Sequence, residues 1–274
     1  MPDPPIAAKP RPATTGPLAA PAGTQTLARG LAVVDAVARG HDRLRDVVAE
    51  TGVGRSTTHR LLQLLVTAGY LRRIDDRYAL GPALIELGYQ ALQENPVAVV
   101  AAAPLRALHA RVSDTVHLAI EDRGQVLYLE KLPGTRGAPT RSRTGHRMPL
   151  TRTGIGKALL LDRPDRWRAQ FLAERRVGPE PGGVPEAEVL TADQFVAVMT
   201  ESARRGVALD LEENEPGVLC VAAPVRDASG AIVAAISVSA HRPAMPPARV
   251  EALAPVVLDA AAGISARLGL DRAG

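Results

Sequence analysis

Gly52-Val53-Gly54-Arg55-Ser56-Thr57-Thr58-His59-Arg60-Leu61-Leu62 is the stretch that decides the fold of the first part of this chain. Its glycines predict a turn, and its polar residues followed by leucines predict a helix that begins just after that turn. Leu44, Val47 and Val48 indicate a shorter helix that ends at Gly52. Because the intervening turn is too short for the two helices to run antiparallel, they must cross steeply, as in a helix-turn-helix.

The residues on either side complete a winged form of this motif. An earlier helix ends near Gly40, and its apolar positions at helical spacing are Leu27, Leu31, Val34 and Val37. We expect the last of the three helices to bury the leucines Leu61, Leu62, Leu64 and Leu65. Residues 70–80 alternate around a polar turn and predict a β-hairpin wing. Residues 24–81 are therefore predicted to form a winged helix-turn-helix DNA-binding domain.

The rest of the chain divides into three further segments. Residues 1–23 contain seven prolines and few apolar residues, which predicts a disordered arm. Residues 82–95 carry an amphipathic helix that Asn95-Pro96 ends, which is typical of a linker helix. Residues 96–270 combine helices with antiparallel hairpins. The predicted fold class is α+β, with the N-terminal domain joined by the linker helix to an antiparallel-sheet domain.

The positive charge of the chain is concentrated at its N-terminal end. Residues 1–80 hold 11 Lys or Arg against 7 Asp or Glu, whereas residues 81–274 hold 22 of each. This asymmetry favours a nucleic-acid-binding module followed by a neutral one, because phosphate neutralisation supplies most sequence-independent affinity. Aromatic residues make up only 3% of the chain, which disfavours stacking on single-stranded nucleic acid and leaves duplex DNA open as a partner.

The exposed start of the third helix supplies the candidate DNA-contacting residues. In a docked helix-turn-helix, arginines there reach guanine edges or phosphates, and hydroxyl groups reach phosphates. The candidates on this helix are Arg55, Ser56, Thr57, His59 and Arg60. Ser56 or Thr57 could instead cap the helix, and Thr58 is expected to pack inside. The wing candidates for backbone contacts are Arg72, Arg73 and Arg77, for which a solvated turn is the alternative.

Across residues 24–268 the chain resembles the IclR family of transcription regulators. Four segments carry the resemblance in order: TQTLARGL (24–31), GVGRSTTHRLL (52–62), LTRTGIGKALL (150–160) and DLEENEPGVLCVAAPVRD (210–227). The last segment is the most specific. The resemblance implies a C-terminal effector-binding domain with a GAF-like fold, which holds a small molecule, commonly an organic acid.

Positions that match the family imply the lining of the effector site. These residues are Gly154, Ile155, Asp210, Val218, Cys220, Ser237 and Ser239. The residues agree in part: Ser237 and Ser239 share one face of a predicted strand, and a helix that begins at Gly154 has free N–H groups suited to a carboxylate. Alternatively, Cys220 is a small buried hydrophobic residue, Asp210 caps a turn and the serines face solvent. We assign no role to His117.

We interpret the chain as a sequence-specific DNA-binding transcription regulator, most simply a repressor, controlled by a small organic-acid effector. Its expected partners are a pseudo-palindromic duplex operator and further copies of itself, in a homodimer or a dimer of dimers (a homotetramer). We find no catalytic motif, cofactor motif or metal-ligand spacing, so we expect no enzyme; a protein-interaction module that does not bind DNA is the other alternative. With one cysteine, no signal peptide and no membrane-length apolar run, we expect a cytoplasmic protein.

Overall fold

The computed structural model describes residues 21–135, 140–177 and 190–271. They form two compact units, the first ending at Leu92 and the second beginning at Gln93. The elements of the first unit are α1 (Gln25–Ala38), α2 (Leu44–Thr51), α3 (Arg55–Thr67), β1 (Leu71–Ile74), β2 (Arg77–Leu80) and α4 (Pro82–Gln93). Only the last residue of α4 falls beyond the boundary between the units. Nearly all of the arm predicted over residues 1–23 lies outside the described residues.

The first unit is a helix-turn-helix with a two-stranded wing, as predicted. Gly52 ends α2 in the left-handed conformation (φ 66°), which only glycine adopts at little cost, so that α3 starts in a new direction. Thr58 is completely buried, and its hydroxyl donates to the carbonyl oxygen of Val53 at 3.0 Å. This bond fastens α3 to the turn, which is the packing role expected of Thr58.

The predicted leucine pattern was partly wrong. Leu61 and Leu62 are buried, but Leu64 is 64% exposed, because it lies about 200° around the helix from Leu62. Leu27 and Leu31 of α1 are also exposed, at 66% and 48%. The small core therefore uses a narrower stripe of each helix than the run of apolar residues suggests.

The second unit is built on one antiparallel sheet. Its elements are α5 (Pro96–Val112), β3 (Thr115–Asp122), β4 (Gln125–Leu132), β5 (Arg147–Met148), α6 (Gly154–Leu159), α7 (Pro164–Val177), α8 (Ala192–Arg205), β6 (Ala208–Leu211), β7 (Val218–Arg226), β8 (Ile232–His241) and α9 (Pro247–Asp271). The six strands run in the order β5-β4-β3-β8-β7-β6. Both hairpins were predicted, and the short edge strands β5 and β6 were not.

Helices contact both faces of this sheet. Cys220, Ala222 and Ala235 share a core cluster with residues of α6, α7 and α8, while the alternate residues of the strands face the side where α5 and α9 pack. Among the described residues, α9 is long and apolar enough to cross a membrane by length and composition, which we did not anticipate. Its Val257 and Ile264 are completely buried and the helix packs on β7, so one face of α9 contributes to the core.

Candidate DNA-reading helix and effector cavity

The start of α3 presents polar side chains to solvent. Arg55, Ser56, His59 and Arg60 are exposed and Thr57 is half-buried. The helix is not capped by a side chain, so the alternative capping role of Ser56 or Thr57 is not observed. Within the part of the chain that the structure describes, none of the side chains predicted to contact DNA on this helix has a hydrogen bond or ion pair. Their donors are therefore available to a ligand.

The three wing arginines are all exposed but are not equivalent. The guanidinium of Arg77 donates to the carboxylate of Asp42 at 2.5 Å, and Nε of Arg73 donates to the carbonyl oxygen of Asp75 at 2.8 Å. Arg72 has no such contact with any described residue. Arg77 is thus engaged in a bond within the first unit, and Arg72 is the wing cation most available to DNA.

A polar cavity lies between α6 and the sheet in the second unit. All seven predicted effector residues line it: Gly154, Ile155, Asp210, Val218, Cys220, Ser237 and Ser239. Its free volume is only about 30 Å³, whereas roughly 10–15 Å³ on the same measure is needed for one water molecule. In this form the cavity therefore admits a few waters or a very small solute.

Strand register brings these side chains together. Cys220 of β7 lies opposite Asp210 of β6 on one side and opposite Ser239 of β8 on the other. Gly154 approaches them from α6: a Cβ atom at this position would lie 3.0 Å from Sγ of Cys220 and 3.2 Å from the amide nitrogen of Asp210. A side chain at this position would therefore have to push Cys220 or the backbone of Asp210 away by a few tenths of an ångström, so glycine favours the close approach of α6 to the sheet.

Burial shifts the protonation equilibria of the cavity groups. It raises the pKa of Asp210 to about 7, an effect that Lys157 opposes and Glu213 reinforces. It also raises the pKa of the Cys220 thiol to about 11, so Cys220 is protonated at neutral pH. Burial, with the nearby charge of Lys131, lowers the pKa of His117 to about 3, so its ring is neutral. Cys220, His117 and the cavity hydroxyls are thus neutral at pH 7, and the carboxyl group of Asp210 titrates near that pH.

Two of the cations near the cavity are paired with carboxylates. Lys157, which is completely buried, lies 2.5 Å from the carboxylate of Glu213, whose amide donates to Asp210 at 2.8 Å. Arg141 pairs with Glu215 at 3.6 Å. The described residues contain no group of three or more side chains suited to a metal ion. Polarity at this site therefore comes from hydrogen-bond donors rather than from an unpaired cation on its wall.

Eight lining residues were missed by sequence reasoning. They are His117, Tyr128, Thr140, Ser142, Met148, Thr153, Asn214 and Glu215. His117, to which no role was assigned, is buried and lies opposite Ser237 in the β3–β8 register. Only the alternation of β3 hinted at its direction, because the pairing of β3 with β8 cannot be read from either strand alone.

Comparison with known proteins places both units in one family. Residues 26–75 match the IclR helix-turn-helix domain, and residues 89–266 match the domain described as bacterial transcriptional regulator IclR C-terminal. The HTH-type transcriptional regulator XynR of Escherichia coli (strain K12) is 31% identical over 78% of this chain and 85% of that protein. The acetate operon repressor of Salmonella typhimurium (strain LT2) is 26% identical over 94% of each chain.

A solved structure with a bound small molecule has the same fold. It is an IclR homologue from Microbacterium hydrocarbonoxydans, complexed with 4-hydroxybenzoate. It is 25% identical to this chain, with a TM-score of 0.74 over 91% of this chain and 100% of that one. The likeness therefore extends over both units described above.

Proposed function

Because the chain belongs to the IclR family of bacterial transcriptional regulators, we propose that it is a repressor that binds a specific operator and is controlled by a small organic acid. The observation that carries this proposal is the combination of two features in one chain. One unit has a helix start whose polar side chains have no partner among the described residues, and the other has a buried polar cavity.

The DNA side of the proposal rests on α3. Arg55 and Arg60 would make the base or phosphate contacts, supported by Ser56, Thr57 and His59, and Arg72 would follow the sugar-phosphate backbone of the duplex. Arg73 and Arg77 are weaker candidates, because their guanidinium groups already donate within the unit. Two such helices on a pseudo-palindromic site require two copies of the chain.

The effector side rests on the cavity. A carboxylate placed near Gly154 and Ile155 would accept from the first N–H groups of α6 and from the hydroxyls of Ser237 and Ser239. Asp210 can hold a proton near pH 7, so it can donate to an anion instead of repelling it. A relative of similar structure is complexed with an organic acid, 4-hydroxybenzoate. Since the cavity is about 30 Å³, such an acid must displace lining residues, which gives binding a conformational consequence.

Assembly and signal transmission follow from the exposed apolar side chains of the first unit. Ile85 and Tyr89 of α4 are 75% and 65% exposed, and Leu27 and Leu31 of α1 are exposed as well. A second copy of the chain would cover such surfaces in a homodimer or in a dimer of dimers. Residues 82–95, which join the sequences of the two units, would transmit the conformational change from the effector cavity to the DNA-binding unit. The location proposed for the protein is the cytoplasm.

An enzymatic function has little support. Cys220 is the only cysteine of the chain. Burial raises its pKa to about 11, so it is not a thiolate nucleophile at neutral pH. The relatives named above are transcriptional regulators or repressors. A small molecule bound in the cavity is therefore proposed as an effector and not as a substrate.

The test is a gel-shift measurement on DNA from the promoter beside the gene, at several salt concentrations. We expect affinity to fall steeply with salt, and the double change Arg55→Ala and Arg60→Ala to weaken specific binding by about 30-fold or more, since one good base contact contributes about 1–3 kcal/mol. The matched control removes two exposed charges from the second unit, Arg168→Ala with Arg204→Ala, and should leave binding unchanged.

The same DNA serves the effector part of the test. A thermal-shift screen of small organic acids identifies a binder, because a ligand that binds only the native state raises its stability. Ser239→Ala should then blunt release of the operator by that acid and leave operator affinity intact. Full operator affinity of the Arg55/Arg60 double variant would overturn the assignment of α3 as the DNA-reading helix. Loss of both operator binding and the response to the acid in Ser239→Ala would indicate misfolding of that variant.

A further inference from the structure

A chain of hydrogen bonds leads from a lysine outside the cavity to a serine on its wall. Nζ of Lys131 lies 2.9 Å from Oγ1 of Thr140, which lies 2.9 Å from Oγ of Ser142. Ser142 Oγ lies 2.8 Å from Nε2 of His117, and Nδ1 of His117 lies 3.3 Å from Oγ of Ser237. His117, Ser142 and Ser237 are all at least nine-tenths buried. The family resemblance assigned no role to four of these five residues.

The direction of these bonds is decided at Lys131, because an ammonium group has three donors and no acceptor. All three donors are engaged: besides Oγ1 of Thr140, they reach the carbonyl oxygens of Thr140 at 3.1 Å and of Ser142 at 2.7 Å. Thr140 Oγ1 must therefore accept from Lys131. Either hydroxyl can donate in the contact between Thr140 and Ser142, and donation by Thr140 is the direction that the ammonium group favours. Each later hydroxyl that accepts one bond is left to donate the next.

The neutral ring of His117 carries this direction across the sheet. In this direction Ser142 accepts from Thr140 and donates to Nε2, which requires the proton of the neutral ring to reside on Nδ1. Nδ1–H then donates to Ser237, whose hydroxyl proton is left to point at the cavity. The hydroxyls of Ser237 and Ser239 act in the same sense on their neighbour on the cavity wall, since both lower the pKa of Cys220 against the larger effect of burial.

We infer that Lys131 is a positioning residue for the effector: through Thr140, Ser142 and His117 it fixes Ser237 as a hydrogen-bond donor, so that the cavity selects a carboxylate over a group that donates. The inference rests on the proposed effector function of the cavity. This arrangement explains how a cavity wall without an unpaired cation favours an anion. The chain of polarised hydrogen bonds ends at the hydroxyl of Ser237, which donates into the cavity. Bond direction alone, and not contact with the ligand, would give Lys131 its effect.

The first test needs no ligand. Nitrogen-15 NMR of histidine-labelled full-length protein distinguishes the two neutral tautomers, and His117→Gln identifies the signal among the six histidines. We expect Nδ1 to carry the proton in the native protein and this preference to be lost in Lys131→Met. Arg143→Met is the matched control, because Arg143 is an exposed cation near Lys131 that takes no part in the chain of bonds. A proton on Nε2 in the native protein, or an unchanged tautomer in Lys131→Met, would overturn the inference.

A second variant distinguishes an effect of hydrogen-bond direction from an effect of the Lys131 charge, and it shows whether Lys131→Met acts only through misfolding. Thr140→Val keeps Lys131 and the shape of the side chain at position 140 but removes the hydroxyl that links Lys131 to Ser142. We expect the tautomer preference of His117 to be lost in Thr140→Val as in Lys131→Met. Lys131→Arg should retain it, because arginine also only donates. If Thr140→Val leaves the tautomer unchanged, Lys131 acts through its charge and the relay is refuted.

The ligand test compares acetate with acetamide, which have the same size but differ in donor content. In NMR titrations of the native protein we expect acetate to bind more tightly. Lys131→Met and Thr140→Val should reduce this preference about three- to tenfold, the range for one hydrogen bond, and Arg143→Met should not. A preference that both variants retain would refute the selectivity. If neither probe binds the native protein, the proposed effector function fails, while the tautomer measurement still decides the relay.

Discussion

Asp210 shows how one residue can join stability to pH. It is 4% exposed and its carboxylate accepts from the amide of Glu213 at 2.8 Å. Burial still dominates and raises its pKa from 3.8 to about 7. The folded protein therefore holds a proton on Asp210 over a pH range in which the unfolded chain has released it.

We predict that Asp210→Asn stabilises the protein progressively as the pH rises. Between about pH 4 and 7 the native state binds more protons at this group than the unfolded state, so its contribution to the free energy of unfolding falls with rising pH. Asparagine does not titrate. The gain of the variant over the native protein, measured by urea unfolding, should grow from pH 5 to 7 and level off near pH 8.

Asp162→Asn is the control for that measurement. A hydrogen bond from Arg226 holds the pKa of Asp162 below its usual value, so its stabilising effect is complete throughout pH 5–8 and is lost only in more acid solution. Its difference from the native protein should be flat over the same range. A flat difference for Asp210→Asn as well would mean that Asp210 is ionised in the folded protein at pH 5.

At the scale of elements, α6 is packed unusually close to its surroundings. All six of its residues are buried, and the hydroxyl of Thr153 accepts from the amide of Gly156 at its N-terminus. A Cβ atom on Gly156 would lie 2.4 Å from the carbonyl oxygen of Leu150. Gly156 is therefore required by contact distance, because backbone atoms occupy the space that a side chain would need.

We predict that Gly156→Ala lowers the free energy of unfolding by about 1–3 kcal/mol, the usual cost of overpacking. The control is Gly263→Ala in α9, where a new Cβ meets nothing within 4 Å. That change should be neutral or stabilise by about 0.5–1 kcal/mol, because alanine is the better helix former. Urea unfolding of both variants measures the contrast, and equal effects would contradict the tight packing of α6.

For the whole molecule, the exposed apolar residues of α1 and α4 are the feature that a single copy of the chain does not explain. The described residues of α4 include no buried side chain, although the helix carries Ile85, Leu87 and Tyr89, all more than 48% exposed. An amphipathic helix is stable when its apolar face is covered. We therefore look for its cover in a second copy of the chain.

Ile85→Glu should dissociate the proposed assembly, because a charge would be buried at the proposed interface between copies. We expect analytical ultracentrifugation to show a lower mass and gel shifts to show weaker operator binding, since two half-sites need two linked recognition helices. Val177→Glu is the control, an equally exposed valine (80%) of the second unit. An unchanged mass for Ile85→Glu would place the interface elsewhere.

The sequence by itself determined the features that depend on neighbouring residues. The turn at Gly52, the hairpins and the order of helices follow from glycine geometry and from periods of two and 3.6 residues, which act over short stretches of chain. The seven residues implied by family resemblance do meet at one cavity. The spacing of apolar residues predicted less well which side chains are buried, as exposed Leu64 shows. The width of the buried face of a helix depends on the elements that pack against it.

Only the tertiary structure decided how the cavity is completed. His117 and Ser237 are 120 residues apart, and they meet because β3 pairs with β8 in one particular register. Lys131, Thr140 and Ser142 join them from β4 and the segment after it. Alternation tells which residues of a strand share a face, but it does not tell which strand lies beside it. Hydrogen-bond partners across a sheet are therefore set by the free energy of the whole folded domain.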